Sequence, residues 1–286
     1  MTAEIKIPEV KAIMRDRKSE GEEAPTLVGV VGVVIPTLGN RPKYLEESLR
    51  SVIDSGIRNI LIVAPETVNI SQDLLSQGVT ILRDPGRGLA AAINLGIAQL
   101  PDEVDIVTWL GDDDSLIAAN HSAAVDELKN SRKSAVYGSC EYVDEFGSKL
   151  FHSRSGRWAV PLMRFGPQLV PQPGSLLTRS AFNEVGGLDE TLHWAFDLDL
   201  FIRLSKFRKG FRFINSPVAQ FRWHADSLTA GSRKGSVREA SRVRKKYLPG
   251  PLATLSWLWE PVISWLILQA GGLVNRRAAR KKGATG

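Results

Sequence analysis

The chain has 286 residues, of which 43% are hydrophobic, enough to build the core of one large α/β domain with appendages or of two small domains. Its single cysteine, Cys140, excludes an intrachain disulfide and a cysteine-rich zinc site, and fits a reducing compartment. The formal charge of +6 is unevenly spread: much of the excess follows residue 230, in Arg233-Lys234, Arg238, Arg242, Arg244-Lys245-Lys246, Arg276-Arg277 and Arg280-Lys281-Lys282, which suits an anionic membrane surface or nucleic acid.

Residues 1–26 are rich in Glu, Lys and Arg and read as a mobile arm without the apolar core of a secretory signal. The run LVGVVGVVI at 27–35 has the length and continuity of a strand buried on both faces, ended by Pro36-Thr37-Leu38-Gly39-Asn40-Arg41-Pro42. LEESLRSVIDSG then reads as a helix, with strands at Asn59–Ala64 and near Val79–Leu82. The loop Arg83-Asp84-Pro85-Gly86-Arg87-Gly88 opens the helix LAAAINLGIAQL. A helix N-terminus with two arginines suits a diphosphate; an ordinary strand–helix turn with solvated arginines is the plainer alternative.

A strand over 104–110 runs into Asp112-Asp113-Asp114. In an open α/β sheet this carboxyl edge is where ligands bind. Three adjacent carboxylates repel one another unless a cation neutralises them, and Mg²⁺ or Mn²⁺ takes oxygen ligands. A solvated acidic cap on the next helix, through Ala118–Lys129, is the competing reading. The order β-α-β-β-α-β-α predicts a mostly parallel central sheet flanked by helices.

Beyond it, Ala135–Gly138 and Cys140–Val143 read as strands, with a hairpin turn at 144–147. Residues 151–175 read as a long loop, Gly174–Thr178 as a strand, and Ser180–Val185 as a short helix. In HWAFDLDLFIRLSKFRKG, Asp197 and Asp199 point to different faces of a helix, and Asp199 can pair with Arg203 four residues on. One carboxylate is thereby structural and the other free. Phe211–Ile214 and Val218–Trp223 read as late strands. Residues 251–274, PLATLSWLWEPVISWLILQAGGLV, carry a single charge, Glu260, and approach the length of a span, but Glu260-Pro261 interrupts them. An interfacial or re-entrant helix pair, a true span, and an amphipathic core or dimer helix all remain open.

VVIPTLGNRPKYLEESLRSV, RDPGRGLAAAINLGIA, TWLGDDDSL, VYGSCEYVDEFG, PQPGSLLTRSAFNEVGGLDE, FDLDLFIRLSK and FRWHADSLTAG occur in that order over residues 29–231. Together they resemble the family 2 glycosyltransferases, which have the GT-A fold. The resemblance implies a nucleotide-sugar-dependent, inverting, metal-assisted hexosyl- or deoxyhexosyl-transferase. It implies a DxD-type motif at Asp112–Asp114, with Asp112 or Asp114 on a divalent Mn²⁺ or Mg²⁺ and a neighbour, Asp112 or Asp113, on the donor ribose. Asp197 stands where the family places its catalytic base, and His224 where some relatives bind metal or phosphate. Pro36, Thr37 and Arg41 would lie beside the nucleotide, Arg83, Arg87, Gly88 and Arg222 near the diphosphate, and Gln172 near the donor sugar or acceptor. The acidic pair that usually reads the base after the second strand is absent, and Glu66 is its nearest substitute.

The expected organisation is an arm (1–26), a GT-A domain (27–231, divided at 130/131 into a nucleotide-binding half and an acceptor and catalytic half), and a basic, Trp-rich helical tail (232–286). The tail points to a peripheral place on the inner, cytoplasmic face of a membrane and to a saccharide or lipid-linked acceptor of the cell envelope. Nucleic acid is not expected, because the tryptophans are not interleaved with the basic residues. Two other readings stay open: a donor-binding scaffold without turnover, kept alive by the missing base-reading acids, and a nucleotidyltransferase, against which PTLGNRP after the first strand counts.

Overall fold

The computed structural model of the protein describes residues 29–153, 155–207, 210–224 and 233–284. The arm expected over 1–26 lies outside them. The first half runs β1 (Val31–Pro36), α1 (Pro42–Asp54), β2 (Asn59–Ala64), α2 (Gln72–Leu75), β3 (Val79–Arg83), α3 (Leu89–Gln99) and β4 (Ile106–Trp109). Its strands lie in the order β3-β2-β1-β4, all parallel. Val33, Val34 and Ile35 of β1 are fully buried because both faces are covered. Val33 and Ile35 join the core under α1, and Val34, with Leu61 and Val63, the core under α3. This alternation is the period of two of a strand. Gly96 lets α3 come close to the sheet, since a Cβ there would lie 2.5 Å from a Val34 methyl.

The second half runs β5 (Ser115–Leu116), α4 (Ala118–Ser131), β6 (Ala135–Val143), β7 (Lys149–His152), α5 (Ala159–Leu162), β8 (Leu176–Thr178), α6 (Arg179–Glu184), α7 (Phe196–Ser205) and β9 (Phe211–Arg222). The sheet continues β4-β8-β6-β9-β5, with β7 beside β6. Here the expectation of a mostly parallel sheet needs refinement. The β8 strand is antiparallel to both β4 and β6, and β5 to β9, while β6 and β9 are parallel. The sheet is thus parallel where helices make the crossovers and mixed beyond β4. The strands expected at 135–138 and 140–143 are one strand, as are those at 211–214 and 218–223. Each is interrupted in register where Ser139 faces Pro217. Proline offers no N–H to the ladder, so an irregularity belongs there. The stretch 151–175 is less loop-like than expected, holding the end of β7 and α5.

The tail forms α8 (Arg233–Tyr247), α9 (Gly250–Leu255), a 3₁₀ turn at Ser256–Leu258, and α10 (Glu260–Ala284). Its helices are joined to one another and to the domain by buried contacts. Arg244, fully buried, makes a bidentate pair with Glu260 at 2.8 and 2.7 Å. On α7, Asp199 takes bonds from Arg203 (2.7 Å), from Tyr247 of α8 (2.7 Å) and from Lys246 (3.3 Å). Asp199 is therefore the structural carboxylate of the Asp197/Asp199 pair.

Candidate active site

Neighbouring parallel strands bring their carboxyl ends together, so the loops after β1 and β4 meet. Thr37 Oγ1 donates to Asp112 Oδ2 at 2.5 Å. The Arg41 guanidinium lies between two of the acids, 2.8 Å from Asp112 Oδ1 and 2.6 Å from Asp113 Oδ2. His224, from the end of β9, approaches the same Asp113 oxygen with Nε2 at 2.8 Å. Thr37, Asp112 and His224 are buried, and Arg41 is a quarter exposed. Arg41 Nη1 also lies 3.0 Å from His224 Nε2. An arginine has no acceptor to offer, so an Nε2–H that serves Asp113 faces a second donor there. Two donors thus converge on one carboxylate oxygen.

The three acids have distinct environments. Burial pushes Asp112 above the usual carboxylate range, partly offset by the Thr37 bond and the Arg41 charge. Burial works against Asp113 too, but the His224 bond and the Arg41 charge outweigh it and leave this carboxyl below its usual value. Asp114 faces inward. Burial and the charge of Asp113 hold it well above the usual range, against the bond from the Arg222 backbone N–H at 3.0 Å.

Arg222 supports the acid loop from beneath. Its Nε donates to Asp113 O (3.1 Å), Nη1 to Glu145 O (3.3 Å) and Nη2 to Glu47 Oε2 (2.5 Å), and its guanidinium lies 4.5 Å from the Tyr44 ring centre. With each nitrogen engaged and the side chain buried, Arg222 is a brace and not a free diphosphate ligand. Tyr44 and Glu47 went unnoticed in the sequence, although they lie three apart on one face of α1. Gln172 is likewise an anchor: its Nε2 donates to Trp109 O at 2.7 Å, at the end of β4.

Glu66 and Arg83 sit at the carboxyl ends of β2 and β3 and pair with each other at 2.7 Å, 69% and 74% exposed. An ion pair that open contributes little to stability, so both remain available to a ligand. Pro36 closes β1 beside them, its partner Val63 lying on β2. Arg87 pairs with Glu190 at 3.3 Å. Gly88 starts α3 at φ +103°, a conformation that favours glycine, without a side-chain cap. Together with Leu89, Ala90, Leu192, His193 and Trp194 they line a cavity of about 220 Å³.

The wall of this cavity leads into the first turn of α7, where Asp197 stands. Gln168 Nε2 donates to its Oδ2 at 2.8 Å and the Leu198 N–H to its Oδ1 at 2.7 Å. Burial raises its pKa, with both bonds opposing. The turn before α7 is held by a residue that sequence reasoning missed. Glu239 of α8 accepts the backbone N–H groups of His193, Trp194 and Ala195 at 3.1, 2.6 and 2.8 Å. Its signal was present: it is the sole acid in the basic helix RKGSVREASRVRKKY.

Among the described residues no group of three His, Cys, Asp or Glu is close enough to enclose a metal by itself. Asp113 and His224 converge with Asp112 on one cationic group, the Arg41 guanidinium. Of these, Asp113 and His224, 2.8 Å apart, offer two ligands to a divalent ion, too few to hold it unless a phosphate supplies the rest. Asp114 does not share in it.

The profile of glycosyl transferase family 2 matches residues 32–186. Two proteins described as uncharacterized glycosyltransferases are similar: one from Rickettsia bellii, 23% identical over 231 residues, and one from Rickettsia felis, 25% identical over 224. They are matched over 76% and 72% of this chain but only 32% and 35% of their own length, so the chain spans about a third of these relatives. Among solved structures, the mannosyltransferase PcManGT from Pyrobaculum calidifontis, in complex with GDP-Man and Mn²⁺, has the same fold with a TM-score of 0.57 at 16% identity, covering 92% of this chain and 79% of that one. S. aureus TarS in complex with UDP-GlcNAc does so with a TM-score of 0.55 at 11% identity, over 78% and 69%. The mixed sheet, the acid cluster at the ends of β1 and β4, and a family match spanning more than half of the chain agree: this chain belongs to glycosyl transferase family 2.

Proposed function

We propose that the chain is an inverting glycosyltransferase that moves a sugar from a nucleoside-diphosphate donor to an acceptor hydroxyl of a lipid-linked or envelope saccharide. The observation that carries this reading is the convergence of Thr37, Arg41, Asp112, Asp113 and His224 at the carboxyl ends of two adjacent parallel strands. A Mn²⁺ or Mg²⁺ ion held by Asp113 and His224, with Asp112 on its other side or on the ribose, would stabilise charge on the departing diphosphate. Arg41 neutralises the acids before the donor arrives and offers its guanidinium to the diphosphate afterwards. Asp114 and Arg222 hold the acid loop in place. Arg87 and the uncapped N-terminus of α3 offer further positive potential to the donor.

Asp197 accepts the proton of the acceptor hydroxyl. The hydroxyl oxygen forms its bond to the anomeric carbon as the bond to the diphosphate breaks, and the proton ends on Asp197. Its raised pKa makes it a stronger base than an ordinary aspartate. A second reading, a donor-binding protein without turnover, has one observation in its favour: the exposed Glu66–Arg83 pair stands where base-reading acids were expected.

Thermal-shift titration with UDP-, GDP- and dTDP-sugars, with and without Mn²⁺, tests the proposal. One donor class should raise Tm only when metal is present, by about 2.7 kcal/mol of linked stability at a hundredfold excess over Kd. Asp113→Asn should abolish that shift and Asp114→Asn preserve it. Asp197→Asn should keep donor binding and lose transfer; an enzyme that still turns over would remove Asp197 as the base. If no nucleotide sugar stabilises the protein, the donor site is misassigned.

A further inference from the structure

A helix packed on a domain ordinarily turns its apolar stripe inward. On α10 the outward side is apolar: Val262, Trp265, Leu266 and Leu273 are 55%, 58%, 49% and 58% exposed. Their spacings of three, four and seven residues keep them on one side of the helix, and exposed Arg276 and Arg277 extend that side by a turn. Leu255, Trp257 and Leu258, just before the helix begins, are 46%, 68% and 55% exposed. An apolar patch of this kind on one element marks an interaction surface.

The shape of the segment and its charge choose the partner. Among the described residues no single helix is long and apolar enough to cross a membrane, and the bent pair Gly250–Leu258 and Glu260–Ala278 turns by 59°. The corner is fixed to α8 by the buried Arg244–Glu260 pair, and the far end to the domain by a bond from Trp223 Nε1 to Asn275 Oδ1 at 2.7 Å. A segment tied to protein at both places suits a surface better than a span. On α8, exposed Lys234, Arg238, Arg242 and Lys245 follow at spacings of four, four and three, a basic stripe with no acidic partner among the described residues. A two-fold contact between copies through α10 would cover the apolar side but supply no counter-charge to the α8 stripe. An anionic bilayer neutralises all of these charges.

We propose that α9 and α10 lie in the interfacial region of an anionic bilayer, with Trp257 and Trp265 as anchors and the α8 stripe and Arg276-Arg277 on acidic headgroups. The Trp223–Asn275 bond gives this docking a consequence for the site. Trp223 immediately precedes His224, which meets Asp113, so the lipid-bound helix is attached one residue from the acid cluster. The acid cluster is then held close to the lipid surface. This consequence rests on the glycosyltransferase reading; the docking does not.

Co-sedimentation of the full chain with phosphatidylglycerol and phosphatidylcholine vesicles, without donor or acceptor, tests the docking independently of turnover. Wild type should bind phosphatidylglycerol at least tenfold more tightly than phosphatidylcholine, with a blue shift of tryptophan emission. Trp257→Ser with Trp265→Ser, and separately Arg238→Gln with Arg242→Gln, should weaken it at least tenfold at unchanged Tm, since all four side chains are exposed. Absence of binding to either vesicle, or equal binding to both, overturns the proposal. A dimer in light scattering that the Trp variant dissociates, with no vesicle binding, also overturns it and gives the face to a second copy.

Discussion

Among the described residues Asp197 has one side-chain partner, Gln168, which comes from the loop after α5. Gln168 donates to Oδ2 and so favours the ionised carboxylate, while burial disfavours it more strongly, and the balance leaves the pKa raised. The base proposed here works only when deprotonated. The acid limb of kcat/KM should therefore lie above the usual aspartate range, with activity lost as pH falls through the raised value. Gln168→Ala removes a bond to the charged form and raises the pKa further. It should move the acid limb to higher pH while leaving donor-induced stabilisation unchanged. A limb that does not move would show that a different group titrates. The sequence placed Asp197 correctly at a helix start, and its i,i+4 logic assigned Asp199 to Arg203. It could not show Gln168, which lies 29 residues away and reaches Asp197 only through the tertiary fold.

At the scale of elements, what was legible came from periodicity. The strand at 59–64 was foreseen to the residue, and the helices α1 and α3 nearly so, though not the single turn α2, because continuous apolar runs and Gly or Pro stops mark parallel strands and their crossovers. The split of β6 and of β9 had one cause: Gly138-Ser139 and Ser216-Pro217 read as breaks in each strand taken alone, whereas the two irregularities face each other in one ladder. Arg222 was misassigned for a related reason. A sequence shows a guanidinium but not whether its donors are already satisfied. The tail helix α8 was read as a basic appendage, yet its Glu239 caps the turn that carries Asp197. Glu239→Gln offers a single neutral acceptor to three N–H groups in place of two charged oxygens, a loss of about 1–3 kcal/mol. The variant should lower kcat and Tm while the Kd for donor holds, and Glu239→Asp should recover part of both. Equal losses in kcat and in donor affinity would indicate general unfolding rather than misplacement of α7.

At the scale of the molecule, buried side-chain contacts cross the boundary expected at residue 231/232. Glu239 and Tyr247 hold α7 from the tail side, and Arg244 lies fully buried against Glu260. Arg244 Nη1 has no hydrogen-bond partner among the described residues, so within them this pair is incompletely satisfied as well as desolvated. Removing α9 and α10 would take away both the counter-ion of Arg244 and the helix that packs on α8, exposing a face of α8 that is now buried. Truncation after residue 248 would therefore confound membrane release with unfolding. A double-mutant cycle separates the two. Glu260→Leu alone should lower Tm sharply, because Arg244 is stranded. Arg244→Met alone should cost less, because Glu260 is slightly exposed and its charge can reach water. The double variant should recover most of the loss, as apolar groups of similar volume replace a desolvated pair at little net cost. Chemical denaturation of the four proteins gives the coupling directly. Additive losses would mean that α10 is held on α8 through apolar contacts alone and not through the ion pair.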